Sequence, residues 1–334
     1  NLGNASDVCG ITAVTYIDVA VGTCPIVVTR KWTVTDVCGN TATCNQIINV
    51  DDTVAPSISA CAVTRNIEGC NTSAITGPVY STITAESSEA VFENATNLGN
   101  TSDLCGITAV QYIDVSAGTC PIVVTRKWTV TDACGNTTTC NQTINVDDTV
   151  SPLITTCPVT RNIEGCNTAA ITGPAYSTVS VTSSEAVFEN ATNQGNATDV
   201  CGITSVNYID VATGSCPIVV TRKWTVSDAC GNTTTCNQTI NVDDTVSPLI
   251  TTCPVTRNIE GCSTAAITGP AYSTTSATSS ESIFENASNL GNTSDICGVT
   301  AVSYIDAAAG TCPTVVTRTW TVSDACGNTS TCTQ

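Results

Sequence analysis

Residues 121–149, PIVVTRKWTVTDACGNTTTCNQTINVDDT, decide the fold. Ile122, Val124, Arg126, Trp128 and Val130 fall on one face of an extended chain, and Val123, Thr125, Lys127, Thr129 and Thr131 on the other. That period of two is the mark of a half-buried strand. Asp132, Gly135 and Asn136 of the following DACGN are turn residues. TTTCNQTINV then alternates again, with Cys140, Ile144 and Val146 against Asn141, Thr143 and Asn145, so the stretch reads as a hairpin. Upstream, 107–115 reads as a third strand, returned by Gly118 to Pro121. Downstream, DDTVSP at 147–152 predicts a domain joint, because Pro152 breaks a strand ladder and the acids and Thr favour solvent. Beyond it, LITTCPVTRNIEGC reads as another strand set. Residues 183–190 (SSEAVFEN) read as one or two helical turns, with Phe188 and Tyr176 reaching the core.

The same text recurs. Cys9, Cys105, Cys201 and Cys297 stand in equivalent contexts, each 96 residues from the next, and VTRNIEGC begins at Val63, Val159 and Val255. A 96-residue period is too long for a solenoid repeat and matches a whole small domain. Cut at the DDT joints, the chain divides into 1–53, the C-terminal half of a repeat; 54–149 and 150–245, complete repeats; and 246–334, a nearly complete one. Several short strands per repeat predict an all-β protein, a tandem array of immunoglobulin-like β-sandwiches. The chain begins and ends inside the pattern, so it reads as a segment of something longer.

Each complete repeat has one Trp, two Tyr and one Phe, a thin core for its size, and six Cys. With 22 Cys, no His and no Cys-x-x-Cys, disulfides in an oxidising compartment are expected rather than zinc or thioredoxin-like sites. The net charge of −18 is spread evenly, which disfavours nucleic acid and keeps a long fibre soluble. No apolar run is long enough for a membrane span. Without His, Ser/His/Asp and Cys/His catalysis are excluded. The acids recur on every repeat without a unique cleft, so no enzyme activity is expected.

Six Cys allow 15 connectivities; topology narrows them. Cys105 begins a strand and Cys134 lies in the turn at the same pole, giving Cys105–Cys134 and, in register, Cys201–Cys230, Cys297–Cys326 and Cys9–Cys38. Cys120 lies at the opposite pole, within reach of Cys70, giving Cys70–Cys120, Cys166–Cys216 and Cys262–Cys312. The first and last strands of such a sandwich are neighbours, giving Cys61–Cys140, Cys157–Cys236 and Cys253–Cys332. Cys24 and Cys44 are then left without partners. A rival frame closes Cys9, Cys24, Cys38 and Cys44 among themselves and pairs Cys61 with Cys70.

The run Asp132, Cys134, Gly135, Asn136, Cys140, then an Asp-Asp-Thr joint, Pro and ITTCP, resembles HYR-like domains. These are immunoglobulin-like modules in long arrays of giant Bacteroidota surface proteins, including gliding-motility adhesins of the SprB type. The EGC and GTCPIVVTR strings add to the match, which spans essentially the whole chain. The resemblance implies type IX secretion, display on the bacterial cell surface and adhesive or structural work, with no catalytic residues to carry over. The expected role is the structural shaft of a surface filament or adhesin. Its partners would be neighbouring repeats of the same chain, other filament chains or surface polysaccharide. The alternatives are a carbohydrate- or protein-binding module acting by avidity, and accessory domains of a secreted enzyme.

Three candidate sites follow. Asp51, Asp52, Asp147, Asp148, Asp243 and Asp244 make oxygen-rich joints suited to Ca²⁺, although they lack the spacing of a calcium loop and also fit a solvated turn. Asp-Thr-Val at the joints resembles a Bacteroidota O-glycosylation sequon, placing sugar on Thr53, Thr149 and Thr245; Thr also simply suits an extended joint. Arg30, Arg126, Arg222 and Arg318 share the Trp-bearing face. The stem of each is expected to cover core surface while its head meets an acid at the sandwich end.

Overall fold

The computed structural model describes residues 3–334. They divide into two compact units, Asn1–Thr149 and Val150–Gln334. Residues 54–149 of the first unit show the design of a bead. A five-stranded sheet runs in the order Arg65–Glu68, Thr137–Asp147, Ile122–Asp132, Ile107–Ala117, Ala85–Ser87. Ser57–Ala60 and Asn100–Ser102 form a separate two-stranded sheet. The hairpin expected at 121–146 is present and antiparallel, with Trp128 opposite Cys140 and Val124 opposite Ile144. Gly135, at φ +87°, takes the left-handed conformation its turn requires.

Alternation along Ile122–Asp132 buries Val124, Arg126, Trp128 and Val130 and leaves Val123, Thr125 and Lys127 outside. Trp128 is capped by Phe92, edge-on at 5.2 Å, and by Tyr112 at 5.4 Å. Phe92 arrives on the one-turn helix Glu89–Phe92, whose Ser88 cap accepts from the Val91 amide. Each such aromatic contact contributes about 0.5–1.5 kcal/mol beyond area burial. The Trp128 indole donates to Gln142 Oε1 at 3.1 Å, and Gln142 donates to the Val63 carbonyl at 2.8 Å, which ties the sheet to the loop packed on it. A second cluster of Ile75, Val124, Ile144 and Val146 fills the other end.

Arg126 is fully buried, and its partner corrects the sequence reading. The acid lies in mid-sheet rather than at the sandwich end: Asp114 stands directly opposite on the Ile107–Ala117 strand. Two parallel bonds of 2.8 Å join Arg126 Nε and Nη2 to the Asp114 carboxylate. The remaining donors go to the Pro78 and Val79 carbonyls at 3.1 and 3.0 Å. The guanidinium stacks 4.3 Å from the Tyr112 ring. Ser81 donates its amide to Asp114 at 3.0 Å.

Residues 150–245 of the second unit repeat this plan, with Trp224, Phe188, Tyr208 and the Arg222–Asp210 pair in the same roles. The expected helical turn is Glu185–Phe188; Phe188 is buried, and Tyr176 packs against the second cluster. Residues 246–334 carry the Arg318–Asp306 pair and a four-stranded sheet. Residues 11–50 form a three-stranded sheet in which Arg30–Asp18 keeps its 2.7 Å bonds but stands partly in solvent.

Removing one member of a fully buried ion pair leaves the other charge uncompensated, at a cost of about 3–5 kcal/mol. Arg222→Met is therefore expected to split the urea unfolding curve of the whole chain, with one bead unfolding at lower denaturant. Pairing it with Asp210→Leu is expected to recover most of the loss. Tryptophan fluorescence reads both outcomes, and a single variant that unfolds with the wild type would contradict the role given to the pair.

Candidate functional site: the joints between beads

Each bead has a bridge of its own. Cys61–Cys140, Cys157–Cys236 and Cys253–Cys332 join the start of a bead to its last long strand, with Cα atoms 5.9 Å apart in each case. These are the first-to-last-strand pairs read from the sequence. The reason is visible in the parallel pairing of Arg65–Glu68 with Ile144–Asp147, which lays the two ends of the bead side by side. The rival Cys61–Cys70 pairing is not formed.

Three further bridges cross a joint inside one unit. In the first unit Cys24 bonds Cys134. In the second, Cys166 bonds Cys297 and Cys216 bonds Cys326. The expected Cys105–Cys134, Cys166–Cys216 and Cys297–Cys326 pairs are therefore incorrect, as is the expectation that Cys24 is unpaired. Cys9–Cys38 and Cys262–Cys312 do not form either: all four are free, together with Cys44 and Cys105. Cys70, Cys120, Cys201 and Cys230 are disulfide-bonded. The sequence placed two cysteines at each pole of a bead. A joint only a few residues long brings the far pole of one bead against the near pole of the next, so Cys166 and Cys216 find Cys297 and Cys326 instead of each other. These bridges lie 79, 110 or 131 residues apart.

Two side chains fasten the peptide of the joint itself. Asn136 Nδ2 donates to the Asp52 carbonyl at 2.9 Å and to Asp132 Oδ2 at 2.8 Å. Asn328 does the same for Asp244 and Asp324, at 2.7 and 2.9 Å. The DxCGN turn thus holds the chain that enters its own bead, a role its turn composition alone does not reveal. Burial pushes the Asp132, Asp228 and Asp324 carboxyls upward, but the Asn donors and turn amides outweigh it and leave all three below the ordinary value.

The six joint acids separate into two kinds. Asp51, Asp147 and Asp243 lie beside the disulfide-bonded sulfurs of Cys24, Cys120 and Cys216, which are not available to a metal. Asp244 is 2% exposed. One of its oxygens accepts from the Val246 amide at 3.2 Å, and its Oδ2 is buried without a hydrogen-bond donor. Asp52 is half-buried, and its Oδ1 accepts from the Val54 amide at 3.0 Å. Asp148 is buried, like Asp244. Burial, then Glu164, Asp295 and Asp324, pushes the Asp244 carboxyl upward. Asp103 and Cys105 lie with Asp52 inside a 4.8 Å cluster. The hydrogen bond to Asp52, then burial, raises the Cys105 thiol.

Thr149 and Thr245 are exposed, and their hydroxyls donate to Glu68 and Glu164 at 2.8 and 2.7 Å. Thr53 is exposed as well. A groove in residues 246–334 is lined by Ile259, Cys262, Ile267 and Val316 among others.

No family model matches the chain, and no curated protein matches it. Among solved structures it is similar to extracellular cadherin domains 1–4 of protocadherin gamma B7, at 10% identity over 94% of this chain and 83% of that one, with a TM-score of 0.28. It is also similar to the human desmocollin-1 ectodomain, at 10% identity over 93% and 64%, TM-score 0.21. Drosophila N-cadherin EC1-4 gives 10% identity over 92% and 82%, TM-score 0.22. Likeness of this size adds nothing to the strand arrangement described above.

Cleavage of the denatured, unreduced chain at Arg and Lys is expected to leave peptide 162–222 joined to 258–318 and 319–334 until a reductant is added. Mass spectrometry that finds 162–222 detached from both would contradict the joint-crossing bridges.

Proposed function

We propose that this chain is a load-bearing segment of the shaft of an extracellular filament or adhesin and carries no catalytic site. The observation that supports this reading is the route that covalent bonds take through a bead. In the second unit, Cys312 and Cys326 flank the Val315–Asp324 strand, and Cys216 and Cys230 flank the Ile218–Asp228 strand. The Cys216–Cys326 bridge connects the two segments. Tension between Val315 and Asp228, the far ends of the two strands, therefore passes along chain that is already extended and through one disulfide.

Beads joined by a bare linker move relative to one another by default. Two bridges at separate points of one joint, Cys166–Cys297 and Cys216–Cys326, remove the hinge that a single bridge would leave. Closing loops of this length also constrains the unfolded chain by about 4–5 kcal/mol per bridge in the chain-entropy picture. That offsets the thin aromatic core.

Disulfides at this density belong to an oxidising compartment, and no helix among the described residues is long and apolar enough to cross a membrane. The finer assignment follows from the HYR-like resemblance: display on a bacterial surface after type IX secretion, with the exposed joint threonines open to glycosylation. Near-identical beads favour reach and mechanical continuity over a single recognition site.

Single-molecule pulling of the whole chain tests the proposal. Without reductant, unfolding a bead is expected to release length on the order of 10 Å, because the strand route is already taut. With reductant each complete bead is expected to release roughly 300 Å. Steps of the longer kind in the absence of reductant would overturn the load-bearing reading.

A further inference from the structure

Asp51, Asp147 and Asp243 make the same contact in three repeats. Asp51 Oδ1 lies 3.6 Å from Cys24 Sγ, Asp147 Oδ1 lies 3.3 Å from Cys120 Sγ, and Asp243 Oδ1 lies 3.6 Å from Cys216 Sγ. All three cysteines are disulfide-bonded. In the Cys24–Cys134 and Cys216–Cys326 bridges, the carboxylate lies within 4.8 Å of both sulfurs. A second acid stands at the other cysteine of each: Asp132 and Asp324 accept from the Cys134 and Cys326 amides at 2.8 Å. Among the described residues the salt bridges belong to the Arg–Asp pairs of the sheets, so none neutralises Asp51 or Asp243.

The bridges that close single beads have different surroundings. Cys61, Cys157 and Cys253 place Sγ 3.3, 3.0 and 3.1 Å from the backbone carbonyls of Asn141, Asn237 and Thr333. The cysteines of both kinds of bridge are half-buried. What separates the two kinds is charge at the sulfur rather than exposure.

A carboxylate against a disulfide changes how the bond can be broken. A dithiol reagent loses a proton to water, and its thiolate attacks one bridge sulfur. The S–S bond breaks, and its electron pair leaves on the other sulfur. The second thiol of the reagent then displaces the first cysteine and closes the reagent into a disulfide. Two electrons and two protons have passed from the reagent to the two cysteines. Attack on Cys326 expels the Cys216 sulfur as a thiolate facing Asp243. Attack on Cys216 brings the incoming thiolate to the same carboxylate. On either route a negative charge, shared by three sulfurs in the transition state, forms beside a fixed negative charge, and the two repel.

We propose that Asp51, Asp147 and Asp243 protect the bridges they touch by slowing cleavage by thiolate reductants. In a load-bearing shaft this keeps the joints covalent where thiols are present. That purpose rests on the shaft reading, whereas the rate of reduction does not depend on load and can fail or succeed separately from the pulling result.

The test uses the oxidised full chain at neutral pH and low salt, with dithiothreitol as the reductant. Freed thiols are alkylated at intervals, and mass spectrometry follows Cys216–Cys326 and Cys253–Cys332 separately. Asp243→Asn is expected to speed reduction of Cys216–Cys326 about five-fold, the effect of a unit charge about 4 Å away in water. Cys253–Cys332 is expected to keep its wild-type rate. Asp243→Glu retains the charge and is expected to stay close to wild type. In about 1 M salt, where screening acts over roughly 3 Å, the gap between Asp243→Asn and wild type is expected to narrow. An unchanged rate for Cys216–Cys326 in Asp243→Asn would overturn the proposal. So would equal acceleration of Cys253–Cys332 in that variant, which would mean a loosened bead. Equal acceleration in Asp243→Glu would overturn it too, by tracing the effect to packing rather than charge.

Discussion

A guanidinium buried in the middle of a sheet is the constraint on which each complete bead depends. Arg126 and Asp114 have no exposed side-chain surface. Such a pair is tolerated only when the remaining donors and acceptors are satisfied. Meeting that condition fixes much of the surroundings: the Pro78–Val79 carbonyls must face the sheet, Ser81 must turn its amide to Asp114, and Tyr112 must lie flat beneath the charge. The register of the two strands that carry the pair follows, because a slip of one residue would turn Arg126 to the solvent face.

The core that this pair organises is small, and covalent bonds extend its reach. One bridge closes each bead on itself; Cys24–Cys134, Cys166–Cys297 and Cys216–Cys326 hand the constraint across a joint. Cysteines at strand ends make that economical in chain length, since an extended strand already spans the bead. Asn136 and Asn328 add a noncovalent tie at the same place, holding the entering chain through its carbonyls. The joint is therefore the most heavily determined part of the structure, the reverse of a flexible linker.

Much of this was legible in the sequence. The hairpin at 121–146, the buried face of Arg126 and Trp128, and the short helix ending at Phe188 follow from alternation and capping, which are local. The Cys61–Cys140 bridge follows from the general adjacency of first and last strands. The acid partner of Arg126 was misplaced because strand alternation assigns a face but no position along the neighbouring strand. The joint-crossing bridges were missed for a related reason. A reading that treats a bead as self-contained looks for partners inside 96 residues, whereas Cys166 finds its partner 131 residues away.

The sequence by itself determined what is local or periodic: strand and turn positions, the 96-residue repeat, two cysteines at each pole, and the abundance of acids at the joints. Those features depend on residues close in the chain or on identity between copies. Only the tertiary structure decided which cysteine meets which, and which joint acid is buried. These depend on how two folded beads abut, and repetition hides that information, because equivalent cysteines in neighbouring beads are indistinguishable as text and differ only in where the fold puts them.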